Sequence, residues 1–144
     1  MIVAIACDHA GFKLKEAVCS YLDNNGIKYI DFGAHDAQAS EFHEYAHKVC
    51  ESINSGESGC GVLLCGTGIG MAMAANKYKN IRAACCADAY SARMTRRHND
   101  ANVLTMGERV VGFGLALDIL KIFLETEFEG GRHRARVDAL NKLI

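Results

Sequence analysis

Residues 59–77, Gly-Cys-Gly-Val-Leu-Leu-Cys-Gly-Thr-Gly-Ile-Gly-Met-Ala-Met-Ala-Ala-Asn-Lys, constrain this chain more than any other stretch. Val62, Leu63 and Leu64 form a short apolar run between glycines, the mark of a strand buried on both faces. Ala72 to Ala75 are strong helix formers. Between them Gly66-Thr67-Gly68-Ile69-Gly70 lets the backbone turn sharply and aim several N–H groups at one point, where the positive end of the helix also points. Strand, glycine loop and helix together predict a site for an anion or a developing oxyanion. A dinucleotide loop requires glycine where Met71 stands, and a P-loop requires Gly-Lys-Ser/Thr closing a longer loop, so the pattern specifies no nucleotide.

Cys65 is the last residue of that strand. Two readings stand for it. Amide hydrogen bonds and the helix end favour a thiolate there, making Cys65 a candidate base or nucleophile; alternatively it is a small apolar core residue, as buried cysteines usually are.

The remaining chain alternates in the same way. Residues 1–7 read as a first buried strand, Asp8 to Gly11 as a turn, and Leu14, Ala17, Val18, Tyr21 and Leu22 as one face of a helix that ends near Gly26. Residues 27–32 predict a second strand, 33–40 a loop and 42–53 a helix. Strands follow at 81–86 and 103–106, with helices over 89–98, 114–125 and 132–143. Five strands alternating with helices imply an α/β fold over residues 1–144, with a parallel sheet covered by helices on both faces. Ligands of such sheets lie beyond the carboxyl ends of the strands, which gathers Asp8, His9 and Cys65 to Gly70, with His98-Asn99-Asp100 expected beside the fifth strand.

Composition narrows the function classes. Sixteen Lys plus Arg against 17 Asp plus Glu offer no general field for nucleic acid or an acidic membrane. No run of about 18 apolar residues occurs, so no membrane span is expected. The start, Met-Ile-Val-Ala-Ile-Ala-Cys-Asp, lacks the basic opening of a signal peptide. Seven cysteines without a Cys-x-x-Cys pair suit reduced thiols and a cytoplasmic protein.

Other constellations carry weaker chemistry. His43-Glu44-Tyr45-Ala46-His47 spells H-E-x-x-H, which on a helix places two imidazoles on one face for zinc; only Glu51 and Glu57 follow as further ligands, so a zinc peptidase is a rival reading. Arg132 and Arg136, spaced i, i+4, share a helix face that suits a phosphate or is simply solvated. Arg109 stands between Glu108 and Val110 and reads equally as a surface ion pair. Arg93, Arg96 and Arg97 read as a solvated face. His98 reads as a capping histidine or, through its titration near neutral pH, as an acid/base group. A non-catalytic flavodoxin-like module is a second rival, although no aromatic flavin sandwich is present.

Taken in order, Cys-Asp8-His9-Ala-Gly, Leu-Leu-Cys65-Gly-Thr-Gly-Ile-Gly70, Ala-Ala-Asn-Lys, Ile-Arg-Ala, Arg-His98-Asn99-Asp-Ala-Asn, Gly-Glu-Arg109-Val-Val-Gly and Glu-Gly-Gly-Arg132-His-x-x-Arg136-Val resemble the ribose-5-phosphate isomerase B family. The wider family includes galactose-6-phosphate isomerase subunits and allose-6-phosphate isomerases. The resemblance implies a Rossmann-like three-layer fold and a homo-oligomer, dimer or tetramer, with active sites between subunits and the C-terminal helix extending to a neighbour. It implies interconversion of ribose 5-phosphate and ribulose 5-phosphate without a metal or organic cofactor, a hexose 6-phosphate being the alternative substrate. By the same resemblance Cys65 is the base, His98 opens the sugar ring, and Gly66, Thr67, Gly68, Ile69 and Gly70 cradle the enediolate. Thr67 and Asp8 position or relay protons, while His9, Asn99, Arg109, Arg132 and Arg136 hold substrate. One departure is plain: where the family commonly has Asp-Tyr-Pro, this chain has Glu41-Phe42-His43, so no tyrosine hydroxyl is carried over there.

Overall fold

A computed structural model describes residues 1–144. Its strands are β1 (Val3–Cys7), β2 (Tyr29–Asp31), β3 (Cys60–Cys65), β4 (Ala83–Cys85) and β5 (Val103–Gly107), and its helices α1 (Phe12–Asn24), α2 (Phe42–Asn54), α3 (Ile69–Ala75), α4 (Ala89–Asn99), α5 (Phe113–Glu125) and α6 (Arg132–Asn141). A 3-10 turn over His9–Gly11 joins β1 to α1. All strands run parallel in the order β2-β1-β3-β5-β4.

The central strands are apolar because both their faces are covered. Every residue of β1, β3 and β5 is buried, and successive side chains enter opposite cores. On one face Ile5, Leu64, Leu104 and Met106 pack with Leu14 and Val18 of α1, Ala92 of α4 and Ile119, Leu120 and Phe123 of α5. On the other, Ala6, Leu63, Cys65 and Val103 pack with Ala46 and Val49 of α2 and Met71 and Ala75 of α3.

Handedness accounts for this division. The chain moves outward from β1 to β2, then back past β1 to β3 and onward to β4. Right-handed crossovers then require α1 and α4 on one face and α2 and α3 on the other, as found. Between β1 and β3 the direction of progress reverses, the place where sheets of this kind commonly receive ligands beyond their carboxyl ends.

Several boundaries differ from the sequence-based expectation, among them the first strand, which begins at Val3. The regular part of each edge strand is shorter, Tyr29–Asp31 and Ala83–Cys85, with bonds to the neighbouring strand continuing from the Phe32 N–H to Ile5 O and from the Cys86 N–H to Thr105 O. α3 begins at Ile69, which puts Gly70 in its first turn and shortens the loop. α6 ends at Asn141. No helix is long and apolar enough to cross a membrane.

Candidate active site

The Cys65 side chain, 6% exposed, ends β3 on the α2–α3 face of the sheet. Its Sγ accepts the Gly68 N–H at 3.0 Å. That geometry depends on Gly68 adopting φ 79°, a left-handed conformation in which a side chain would also stand 2.8 Å from the Met106 carbonyl carbon. Gly107, opposite Cys65 in the ladder, has to be bare as well, since a Cβ there would lie 2.5 Å from the Thr67 backbone. α3 spans only seven residues, so the anion-favouring character of the loop resides in individual N–H groups more than in a long helix dipole.

Several bonds fix the loop from below and from the side. The Thr105 hydroxyl donates to Gly68 O at 2.8 Å, and the Cys85 thiol to Thr67 O at 3.7 Å. Thr67 Oγ1 accepts the Ile69 N–H at 3.3 Å. The N–H groups of Glu108 and Arg109 donate to the carbonyls of Cys65 and Gly66, at 2.9 and 3.1 Å. This turn brings the Arg109 side chain over Gly66, with Nη1 3.4 Å from where a Cβ would stand. A guanidinium therefore overhangs the thiol's own loop.

Asp8 and His9 stand at the adjoining tip of β1. The Asp8 N–H donates to Leu64 O at 3.1 Å, and its carboxylate, 7% exposed, accepts the Ala10 N–H at 2.9 Å. His9 is exposed, and its Nδ1 accepts the Ser40 N–H at 3.3 Å. With Nδ1 acting as acceptor, the ring proton of a neutral His9 lies on Nε2, which is left to donate to a ligand. Phe42, at the start of α2, lays its ring 3.4 Å from the point a Gly70 Cβ would occupy, so it packs against the first turn of α3 beside the loop.

The expected gathering of His98 and Asn99 with these groups does not occur within one chain. α4 runs antiparallel to the sheet and returns to the amino end of β5, next to Asn102, whose carbonyl accepts the Gly61 N–H at 2.8 Å. Cys65 lies at the other end of the ladder, opposite Gly107, about 13 Å away at about 3.3 Å per residue. His98 and Asn99 are thus brought together with α6. The His98 ring stacks on His133 with centroids 4.3 Å apart and 13° between planes. Asn99 O accepts from Arg82 Nε at 3.2 Å, and Arg132 Nε lies 3.4 Å from His133 Nε2. Arg132 and Arg136 are exposed. His133 itself is held below the usual histidine range, first by burial and then by the charge of His98 and Arg132.

Neither potential metal motif assembles cleanly. His47 Nδ1 meets the Tyr78 hydroxyl at 3.0 Å and His43 Nδ1 lies 3.9 Å from Glu41, with no third ligand grouped beside them. His98, Glu129 and His133 do bring their ligand atoms within 4.8 Å of one another. There Arg97 holds Glu129 at 3.0 Å and Arg132 approaches His133, so positive charge already surrounds the position a cation would take.

Thr105, Cys85, Glu108 and Ser40 escaped the sequence reading. Glu108 carried a faint signal as part of Gly-Glu-Arg109; the others carried none.

Residues 3–140 match the Ribose/Galactose Isomerase family. Ribose-5-phosphate isomerase B of Escherichia coli is 43% identical over 141 residues, 98% of this chain and 95% of that protein. D-erythrulose-4-phosphate isomerase of Pectobacterium atrosepticum is 38% identical over 139 residues, 96% of this chain and 91% of that protein. The structure of ribose-5-phosphate isomerase B from Clostridium thermocellum superposes with a TM-score of 0.98 at 46% identity, covering 99% of this chain and 97% of the other. Neither the zinc peptidase nor the non-catalytic flavodoxin-like module is retained beside these matches. A parallel five-stranded sheet, a thiol at the tip of its central strand and likeness along nearly the whole chain lead to one assignment: this is a sugar-phosphate isomerase belonging to the Ribose/Galactose Isomerase family.

Proposed function

We propose that this chain interconverts ribose 5-phosphate and ribulose 5-phosphate through an enediolate, with Cys65 as the base and without a metal or organic cofactor. The observation that carries the reading is the Cys65 sulfur at the strand tip, hydrogen-bonded by Gly68 N–H and followed by a loop that Arg109 overhangs at Gly66. The amide favours the thiolate and the guanidinium draws an anionic substrate to it.

In the aldose-to-ketose direction the Cys65 thiolate removes the proton on C2. The C2–H electron pair becomes the C1=C2 bond, and the carbonyl pair moves onto O1. The Gly66–Gly70 loop stabilises the oxygen that gains charge. The O2 proton passes to O1 through Thr67 and Asp8, Cys65 returns its proton to C1, and a C2 ketone remains with the thiolate restored. Beforehand His98 opens the furanose by taking the anomeric hydroxyl proton and protonating the ring oxygen. His9, Arg109, Arg132 and Arg136 hold the phosphate and Asn99 a sugar hydroxyl.

Because His98, Asn99, Arg132 and Arg136 lie at the opposite end of the sheet from Cys65, the complete site uses one set from each of two copies. The chain acts as one isomerase domain over residues 1–144 in a homo-oligomer, dimer or tetramer, whose α6 reaches the neighbouring subunit. The exposed Ile69 and Met73 beside the loop supply apolar surface for that contact. Seven unpaired thiols are in keeping with a cytoplasmic setting.

Cys65→Ala tests the assignment. Ribose 5-phosphate binding should persist while turnover falls by about 100- to 10,000-fold, the usual weight of a positioned base. Turnover at the parent rate would remove Cys65 from the chemistry. Co-refolding Cys65→Ala with His98→Asn, each inactive alone, should restore about one quarter of parental activity if a two-fold dimer shares its sites; no recovery would place both residues in one subunit's site. Side-by-side kcat/KM values for ribose 5-phosphate, allose 6-phosphate, galactose 6-phosphate and erythrulose 4-phosphate identify the preferred chain length.

A further inference from the structure

One peptide group beneath the loop joins two cysteines. The N–H of the Thr67–Gly68 peptide donates to Cys65 Sγ at 3.0 Å, and the carbonyl of the same peptide accepts from the Cys85 thiol at 3.7 Å. The next carbonyl along, that of Gly68, accepts from the Thr105 hydroxyl at 2.8 Å. Thr105 is fully buried, and it sits opposite Leu63 on β3 and Cys85 on β4. Leu63 and Cys65 alternate onto one face of β3, so Thr105 rises on the same face as the thiol and directly under the loop.

Glycine does not hold its own backbone in the left-handed region. It moves between positive and negative φ at little cost, so the orientations of the two peptides that meet at Gly68 have to be imposed by their contacts. The Thr105 bond is the shortest of these. The Gly68 carbonyl also accepts the Ala72 N–H at 3.1 Å, as the start of α3. It therefore keeps a partner without Thr105, and the threonine hydroxyl adds direction to the peptide and not merely a missing bond.

We propose that Thr105 is a positioning residue for the Cys65 sulfur: its hydroxyl holds the Gly68 carbonyl, in the Gly68–Ile69 peptide, and so limits the rotation at Gly68 that would swing the preceding N–H off Sγ. The consequence for turnover rests on Cys65 being the base; the consequence for the sulfur does not.

The test compares Thr105→Val, which keeps the shape and removes the hydroxyl, with Thr105→Ser, which keeps the hydroxyl. Two quantities are measured for each: the pH profile of iodoacetamide alkylation at Cys65, resolved from the other six cysteines by peptide mass spectrometry, and kcat and KM for ribose 5-phosphate. In Thr105→Val the Cys65 alkylation profile should move to higher pH by about 0.5 unit, with kcat at neutral pH down about threefold and KM little changed, since half a pH unit is about a threefold change in thiolate. Thr105→Ser should behave as the parent. An unmoved Cys65 profile in the valine variant overturns the proposal whatever happens to turnover, and so does a serine variant that matches valine, because the effect would then come from volume. A moved profile with unchanged kcat upholds the positioning of the sulfur and instead removes Cys65 as the base.

Discussion

Glu108 Oε2 accepts the Leu14 N–H at 2.8 Å across 94 residues of sequence. α1 needs that partner, for its N-cap is Gly11, which has no side chain to offer the first turn. A carboxylate from the end of β5 takes the place of a local cap, and it does so on the turn that also carries Arg109 over the thiol loop. Helix, strand and loop are thereby tied at the same corner of the sheet.

Replacing Glu108 by alanine should therefore cost about 1 kcal/mol of stability, the usual weight of a lost N-cap. Glu108→Gln retains an acceptor oxygen and loses only the charge at the helix end, about 0.3–1 kcal/mol. Urea denaturation midpoints with unchanged slopes would rank the parent above glutamine and glutamine above alanine. An alanine variant with the parent's midpoint would show that solvent caps α1 equally well. The Glu108 and Arg109 N–H bonds to Cys65 and Gly66 belong to the backbone and survive both changes.

Buried thiols give the fold a definite response to alkali. Burial raises Cys50 from 9.0 to about 12, with Glu51 adding to the shift, and likewise raises Cys7 to about 12 against the opposing pull of Lys15. Cys60 and Cys86 are pushed up to about 11, again mainly by burial. Folded protein then keeps protons that the unfolded chain releases. The stabilising effect is complete below about pH 9 and is lost as pH rises toward the folded values, at about 1.4 kcal/mol per unit for each thiol. Cys50→Ala should be less stable than the parent at pH 8 by about 1 kcal/mol. Urea melts at intervals from pH 8 to about 11 should show the gap between the two proteins closing above about pH 9. Parallel curves would mean that Cys50 is not linked to this transition.

The parts of this molecule that could be read from sequence are those whose neighbours are close in sequence or whose apolar character is continuous. Val62 to Leu64 and Gly66 to Gly68 declared a strand and a turn because burial on both faces and a tight reversal leave few residue types available. The regular parts of β2 and β4 are shorter than the apolar runs suggest, although the Phe32 and Cys86 N–H groups still bond to β1 and β5. His98 was misplaced for a topological reason: the polar residues just before a strand lie at its amino end, one strand length from the residues that follow it. The roles of Thr105 and Glu108 are hidden from the sequence because the groups they hold, Gly68 O and Leu14 N–H, lie 37 and 94 residues away. Such pairs are set by register and crossover, and neither is encoded locally.

Phe42 shows how a single absent atom can be put to use. Its ring Cζ, the carbon that would bear a tyrosine hydroxyl, lies 3.5 Å from the position of a Gly70 Cβ, and the residue is 38% exposed. A hydroxyl added there needs no new space in the core and extends beside the loop assigned to the enediolate. Phe42→Tyr should lower KM for ribose 5-phosphate by about two- to tenfold, matching one added hydrogen bond of about 0.5–1.5 kcal/mol, and leave kcat within about twofold. Steady-state kinetics on the purified variant would measure both. A lower kcat with unchanged KM would mean that the hydroxyl disturbs the loop without reaching the sugar, and Phe42 would then be a packing residue of α2 and no wall of the substrate site.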